Sequence, residues 1–330
     1  MKRSIAAILA TALTVASAIG FAAADKPEEI TVAYFPEWPM ANQVAQAEQW
    51  YDKEMGLKVN WRAFDSGVEM ANAMVAGEVD ISYSMGIIPF MGAVSKGAPL
   101  KAVGIAVSYG DNDNCVVHHK AAIDKSNAHE LEGKKVAVPL GTVTHYKLLR
   151  TLEFLAVDAS KLILVDMVSA KGAEALERGE VTMACGWGGA LRRMMNKNRV
   201  LMSAREQAKI GIRTFDVVAV TDDLADKYPD LVTAFLKVSD RAADYLDDHP
   251  DEAKPIIARA AGLSLKESNI ILSRFQFYTR DAQLTGTWMR GGAQSFTKEV
   301  ADFYVRQGAM PKALDDYGPM FDVSFYEKVR

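Results

Sequence analysis

Residues 57–82 read LKVNWRAFDSGVEMANAMVAGEVDIS, and this stretch decides the fold class. Polar and apolar side chains alternate over residues 57–64, which is typical of a strand. Ser66 stands where a helix N-cap is expected, before a helical pattern over residues 68–76. Residues 79–82 then open another strand. The stretch therefore predicts strand, helix and strand in succession.

The preceding segment completes an α/β unit. Residues 30–35 (ITVAYF) form a β-branched run typical of a buried strand, and residues 40–51 carry apolar side chains at helical spacing. Strands that alternate with helices in this way predict a parallel sheet.

The same order of elements recurs about 102 to 105 residues later. Its strands are predicted at residues 136–139, 162–168 and 181–185, and its helices at residues 144–155 and 170–178. The closest match is Gly77-Glu78-Val79 against Gly179-Glu180-Val181, each a helix end followed by a strand. This spacing is too long for a solenoid repeat and predicts two similar α/β lobes.

The remaining chain is predicted to return to the first lobe. A strand is expected at residues 215–220, with helices at residues 222–247, 251–261, 265–275 and 288–307. The crossings near residues 109–117 and 213–218 are not rich in Gly or Ser, which favours an ordered hinge. The expected divisions are a signal peptide (1–24), the first part of lobe one (25–112), lobe two (113–215) and the return to lobe one (216–330).

The N-terminus predicts a secretory signal peptide and therefore export of the chain. Lys2 and Arg3 precede a short apolar stretch over residues 5–19, and Ala22-Ala23-Ala24 provides a small-residue cleavage site. No cysteine stands at that site, so we expect no lipid anchor. The formal net charge of -4 argues against nucleic acid or an anionic membrane as the partner. In an oxidising compartment Cys115 and Cys185 could pair, or they could remain two buried free thiols.

The expected cleft contains groups suited to a small zwitterion. Ligands bind at the carboxyl ends of parallel strands, where Ser66, Gly67 and Thr142 precede helix N-termini that attract anions. These residues are also ordinary helix caps. An ammonium group would suit the aromatic rings and carboxylates at the same strand ends, namely Glu37, Trp38, Trp187 and Asp216. The structural alternatives are a solvated loop charge for Glu37, packing for Trp187 and hinge capping for Asp216.

Catalytic signatures are thin. His118 and His119 are adjacent, so on a strand they would point to opposite faces, and we expect neither a metal site nor a cofactor. No hydrolase, zinc-protease or phosphate-loop motif occurs. An enzymatic function is therefore not expected.

Several segments resemble periplasmic substrate-binding proteins of ABC importers for taurine and aliphatic sulfonates, within a wider group that also binds nitrate and thiamine precursors. The segments are VAQAE (44–48), WRAFDSG (61–67), AGEVDI (76–81), THYKLL (144–149) and RTFDVVAV (213–220). The resemblance covers residues 29–320 and implies the two-lobed, type II periplasmic binding protein fold of the α/β class. It also implies a permease partner and a receptor that works as a monomer.

The resemblance further implies that loop N–H and hydroxyl groups hold a sulfonate and that Asp216 meets an amine. With the residues above, it gives the candidate ligand-binding residues Glu37, Trp38, Asp65, Ser66, Gly67, Met85, Gly86, Thr142, Thr144, His145, Tyr146, Trp187 and Asp216. The loop YFPEWPM (34–40) is more acidic and aromatic than in the taurine proteins, which leaves the ligand open. The first hypothesis is a taurine-like amino-sulfonate, the alternative is an amine, betaine or heterocycle, and the most remote is a periplasmic enzyme.

Overall fold

The structure is a computed structural model, and it describes residues 26–329; the predicted signal peptide therefore lies outside the described residues. Within that range the strands are β1 (Glu29–Tyr34), β2 (Lys58–Ala63), β3 (Ile81–Gly86), β4 (Leu100–Tyr109), β5 (Asp113–Val117), β6 (Lys135–Val138), β7 (Ile163–Asp166), β8 (Met183–Trp187), β9 (Arg199–Val200), β10 (Thr214–Thr221) and β11 (Phe275–Gln276).

The helices cover both sheets. They are α1 (Asn42–Ala47), α2 (Trp50–Met55), α3 (Gly67–Val75), α4 (Ile87–Val94), α5 (Val143–Phe154), α6 (Ser169–Glu177), α7 (Gly188–Met194), α8 (Ala204–Lys209), α9 (Asp222–Lys227), α10 (Pro229–Asp248), α11 (Pro250–Ala260), α12 (Leu265–Leu272), α13 (Arg280–Gln283), α14 (Gly292–Arg306) and α15 (Ser324–Lys328). Short 3-10 turns occur at His119–Ala121, Ala128–Leu131, Ala159–Lys161 and Gly318–Met320.

The strands form two sheets, which define the two lobes. The sheet of lobe one has the order β11-β4-β10-β3-β1-β2, and that of lobe two has the order β7-β6-β8-β5-β9. In lobe one β1 pairs in parallel with β2 and β3, and in lobe two β6 pairs in parallel with β7 and β8. Both nuclei place the first strand of the unit in the centre, which confirms the two similar lobes predicted from the sequence.

Neither sheet is wholly parallel, which corrects one part of the prediction. The strand β10 is antiparallel to both β3 and β4, and β5 is antiparallel to both β8 and β9. The strands β5 and β10 each enter their sheet directly after the chain has crossed from the other lobe. They run opposite to the parallel strands of that sheet. Residues 110–112 separate β4 from β5, and Tyr109 lies opposite Thr214 in the ladder between β4 and β10.

Two helices differ from the sequence prediction. The expected helix over residues 40–51 is two short helices, because Gln49 has a left-handed backbone with φ 54°. The expected helix over residues 265–275 ends at Leu272, and β11 occupies Phe275–Gln276. The third strand of each unit begins and ends further along the chain than predicted, so Met85, Gly86 and Trp187 lie at the ends of strands and not in loops.

The largest apolar core belongs to lobe one and also takes in Val143, Tyr146 and Leu149 on α5 of lobe two. The core of lobe one joins its sheet to the C-terminal helices through buried residues such as Phe235, Phe296 and Phe303. Lobe two has separate clusters built around Leu148 and Leu176. A disulfide joins Cys115 on β5 to Cys185 on β8, so of the two alternatives the structure contains the bridge. No helix among residues 26–329 is both long and apolar enough to span a membrane.

Candidate ligand-binding site

A cleft with an empty volume of about 340 Å³, including space open to solvent, lies where the two lobes meet. The residues that line it come from both lobes: Phe35, Trp38, Gly67, Gly86, Pro89, Tyr109, Asp113, Thr142, Val143, Thr144, Trp187 and Asp216.

Asp216 on β10 provides the buried carboxylate of the lobe-one wall. Its side chain is 2 % exposed. Its Oδ2 accepts a hydrogen bond from the Ser84 hydroxyl at 2.6 Å, and its Oδ1 accepts one from the Tyr109 hydroxyl at 2.7 Å. No Lys, Arg or His in the described chain forms an ion pair with it. Burial raises the pKa of Asp216 to about 7, since the hydroxyl donors only partly replace water around the charge.

Trp38 supports this carboxylate indirectly. Its indole N–H donates to the Ser84 hydroxyl oxygen at 3.1 Å, and Ser84 in turn donates to Asp216. Trp38 is buried and packs edge-on against Tyr109 and Phe275, with ring centroids 5.1 and 4.6 Å away. The indole therefore fixes the direction in which the Ser84 proton points.

Asp113 at the start of β5 provides the buried carboxylate of the lobe-two wall. Lys147 on α5 donates to its Oδ1 at 2.6 Å and also to the backbone carbonyls of Asp113 and Gly110. Thr144 donates to its Oδ2 at 3.4 Å. Burial raises the pKa of Asp113, and the Lys147 ammonium acts against that rise. Two carboxylates therefore line the cleft, and the buried ammonium of Lys147 lies behind one of them.

The N-termini of α3 and α5 face the cleft from opposite lobes. The Ser66 hydroxyl accepts the N–H of Glu69, and the Thr142 hydroxyl accepts the N–H of His145, so both act as helix caps. The two N–H groups that follow each cap, at residues 67–68 and 143–144, meet no acceptor among the described residues. A Cβ placed on Gly141 would lie 3.4 Å from Val68, so the two helix ends are close neighbours.

The structure brings most of the predicted residues together but sets six of them apart from the cleft lining. Ser66 is a cap beneath it, and Met85 is buried within β3. His145 lies behind Thr144; its Nδ1 accepts the Gly141 N–H at 3.3 Å, and burial lowers its pKa to about 4, so it is neutral at pH 7. The Tyr146 ring packs against Phe296 and Phe303. Asp65 is exposed and donates its backbone N–H to Glu69.

Glu37, the sixth of these residues, lies at the rim, where the lobes touch. Its carboxylate is 3.2 Å from Arg193 on α7, so the predicted loop charge already has a cation from the opposite lobe. The backbone of α7 approaches it closely: a Cβ on Gly188 would be 2.5 Å from the Glu37 carbonyl oxygen. The Gly188-Gly189 pair therefore permits this contact between lobes.

Sequence reasoning missed Phe35, Pro89, Tyr109, Asp113 and Lys147. Tyr109 and Asp113 lie at the two ends of the first crossing between the lobes, which the sequence did predict. Asp113 could have been found as an acidic residue at the start of an otherwise apolar strand. The expectation that His118 and His119 point to opposite faces was wrong, because β5 ends at Val117 and the two rings are 4.5 Å apart. Residues 26–329 contain no group of three or more residues suited to hold a metal ion.

Comparison with known proteins agrees with the fold. Residues 40–253 match the NMT1/THI5-like family. The chain is 30% identical over 300 residues to the taurine-binding periplasmic protein of Escherichia coli K12, covering 87% of this chain and 89% of that protein. It superposes with a TM-score of 0.75 and 19% identity on the alkanesulfonate-binding protein SsuA of Xanthomonas axonopodis pv. citri, solved with MOPS, over 91% of this chain and 99% of the other. The desulfurization enzyme DSZB shares the fold with a TM-score of 0.63 and 14% identity, over 92% of this chain and 99% of the enzyme.

Proposed function

The chain belongs to the NMT1/THI5-like family, and on that premise we propose that it is a periplasmic receptor that delivers taurine or a related amino-sulfonate to an ABC importer. The observation that carries the proposal is the polarity of one cleft. One part of the cleft contains a buried carboxylate that forms no ion pair within residues 26–329. Another part contains two helix N-termini whose first N–H groups are unpaired. A zwitterion with one ammonium and one oxyanion complements both.

Asp216 would bind the ammonium group. A buried carboxylate that accepts only neutral hydroxyl donors gains most from a cation, because opposite charges attract strongly where water is excluded. Ser84 and Tyr109 would hold the carboxylate in place for this contact.

The N-termini of α3 and α5 would bind the sulfonate. Free N–H groups and the helix dipole attract an anion without a full positive charge. His145 is neutral at pH 7 and would contribute no charge. Thr144 would have to release its hydrogen bond to Asp113, which at 3.4 Å is a long one, before it could donate to the ligand.

The function would require the lobes to open and close around the ligand. In this proposal lobe one comprises residues 25–112 and 216–330, lobe two comprises residues 113–215, and a signal peptide over 1–24 directs export. The receptor would act as a monomer and present its closed form to the permease. We propose no enzymatic role, since both cysteines are in the disulfide and the two cleft carboxylates are each held by donors.

Calorimetric titration of the mature chain tests the proposal. Taurine should bind more tightly than ethanesulfonate, which lacks the amine, and than ethylamine, which lacks the sulfonate. At a hundredfold excess over its dissociation constant a ligand should also raise the free energy of unfolding by about 2.7 kcal/mol. Failure of every sulfonate to bind would contradict the proposal.

A further inference from the structure

Four aromatic side chains line the cleft together with Asp216. Phe35, Trp38 and Tyr109 belong to lobe one, and Trp187 belongs to lobe two. The ring centroids of Trp38 and Tyr109 are 5.1 Å apart. Those of Phe35 and Trp187, which belong to different lobes, are 6.0 Å apart. Aromatic rings grouped around a carboxylate form the kind of enclosure that binds alkylated ammonium groups.

The polar atoms of two of these rings are already used. The Trp38 indole N–H donates to Ser84, and the Tyr109 hydroxyl donates to Asp216. Neither ring therefore has a free N–H or O–H donor for a ligand. What these two rings present is hydrocarbon and π surface, which a methyl group fills better than an N–H group does.

The acceptors around the cleft are also largely occupied. A carboxylate has roughly four lone-pair positions. Two on Asp216 are taken by Ser84 and Tyr109, which leaves about two. Both oxygens of Asp113 accept hydrogen bonds from its own lobe. A primary ammonium carries three N–H donors, and each one buried without an acceptor weakens binding.

We infer that the receptor selects an N-methylated amino-sulfonate, such as N-methyltaurine or N,N-dimethyltaurine, over taurine itself. This inference rests on the proposed function. The first methyl group removes the one donor that lacks an acceptor on Asp216, and each methyl group adds contact with the rings, while the positive charge that pairs with Asp216 remains. Trp38 and Trp187 are then the residues that set the preference, one from each lobe.

Titration of the mature chain with a methylation series tests this inference. The probes are taurine, N-methyltaurine, N,N-dimethyltaurine and 3-methylbutane-1-sulfonate. The last compound is the carbon analogue of N,N-dimethyltaurine, in which a neutral C–H group replaces the ammonium N–H group. We expect N,N-dimethyltaurine to bind about tenfold more tightly than taurine and at least about thirtyfold more tightly than the carbon analogue.

Two variants test the rings. Trp38→Leu keeps an apolar side chain but loses the π surface, so the preference for the dimethyl compound should fall about tenfold. Trp187→Leu should have the same effect from the other lobe, and this side chain is only half-buried, so the variant should fold. Trp50→Leu is the matched control, because Trp50 packs against Tyr245 and does not line the cleft; the preference should not change.

Each outcome bears on one of the two proposals. If taurine binds most tightly, or if the carbon analogue equals N,N-dimethyltaurine, the inference about methylated ammonium is wrong while the receptor function stands. If none of these sulfonates binds, the proposed function itself fails. A preference that survives both Trp38→Leu and Trp187→Leu would show that the rings do not set it.

Discussion

The two walls of the cleft each bury a carboxylate, but among residues 26–329 only one of the two carboxylates forms an ion pair. Asp113 in lobe two is paired with Lys147 at 2.6 Å, whereas Asp216 in lobe one accepts hydrogen bonds from the neutral hydroxyl groups of Ser84 and Tyr109. A buried charge is costly unless it is paired. Asp113 thus has its cation within the protein, whereas in the proposed function Asp216 obtains its cation from the ligand.

The largest expected effect is on the paired carboxylate. Lys147→Met should lower the free energy of unfolding by about 3–5 kcal/mol, because it leaves Asp113 buried without its cation. Chemical denaturation measures this loss. The double variant Lys147→Met/Asp113→Asn removes both charges and should recover much of it. A single variant that unfolds like the wild type would show that the pair contributes no stability.

Asp216→Asn should act in the opposite direction on stability. The ligand-free protein should become more stable at pH 8 by about 2–4 kcal/mol, since a buried charge without a cation is removed. Affinity for the ammonium ligand should fall about 30- to 1,000-fold. Denaturation and calorimetry on the same sample measure both. Equal affinity in the variant would make Asp216 a structural residue of the crossing strands.

The pH dependence of binding should follow Asp216. Its pKa in the ligand-free protein is about 7, and the ligand requires the ionised form, so affinity should rise with pH through 7 and level off near pH 8. Below about pH 6 it should fall about tenfold per pH unit. The stability that protonation of Asp216 gives the ligand-free protein is present below about pH 4 and is lost as pH rises through 7. Burial lowers the pKa of His145 to about 4, so this side chain is neutral between pH 6 and 8 and should add nothing to the change there.

The smallest expected effect concerns the contact between lobes. Arg193→Gln removes the ion pair with Glu37, which is exposed, so affinity should fall only about two- to fivefold. The loss should come from faster ligand release, measured by stopped-flow, because the pair links the lobes only in the closed form. Arg178→Gln breaks a similarly exposed pair within lobe two and should leave the release rate unchanged.

Much of the fold could be predicted because it depends on periodic patterns along the chain. Both three-strand nuclei and their helices follow from alternating and helical spacing. Asp216 could be singled out because one acid in an otherwise apolar strand needs a partner. The break of the first helix at Gln49 could not be predicted, since only the folded backbone shows its left-handed conformation.

The rest of the site depends on pairings over long distances. Glu37 resembles a free loop charge in the sequence, but its cation is 156 residues away on the other lobe. Asp113 could be noticed as an acid that opens an apolar strand, but its ion pair could not be predicted, because Lys147 lies within a helix whose pattern does not show that this lysine is buried. Capping and anion binding also use the same residues, so Ser66 and Thr142 could not be assigned to one role from the sequence.

The disulfide has a consequence for the moment at which the receptor becomes able to work. Cys115 and Cys185 lie opposite each other on β5 and β8, two positions from Asp113 and Trp187, which form the next pair of the ladder that faces the cleft. A newly synthesised chain with two thiols has to hold these strands together without a covalent link. We therefore expect oxidation to be a maturation step, after which the chain captures its ligand with full affinity.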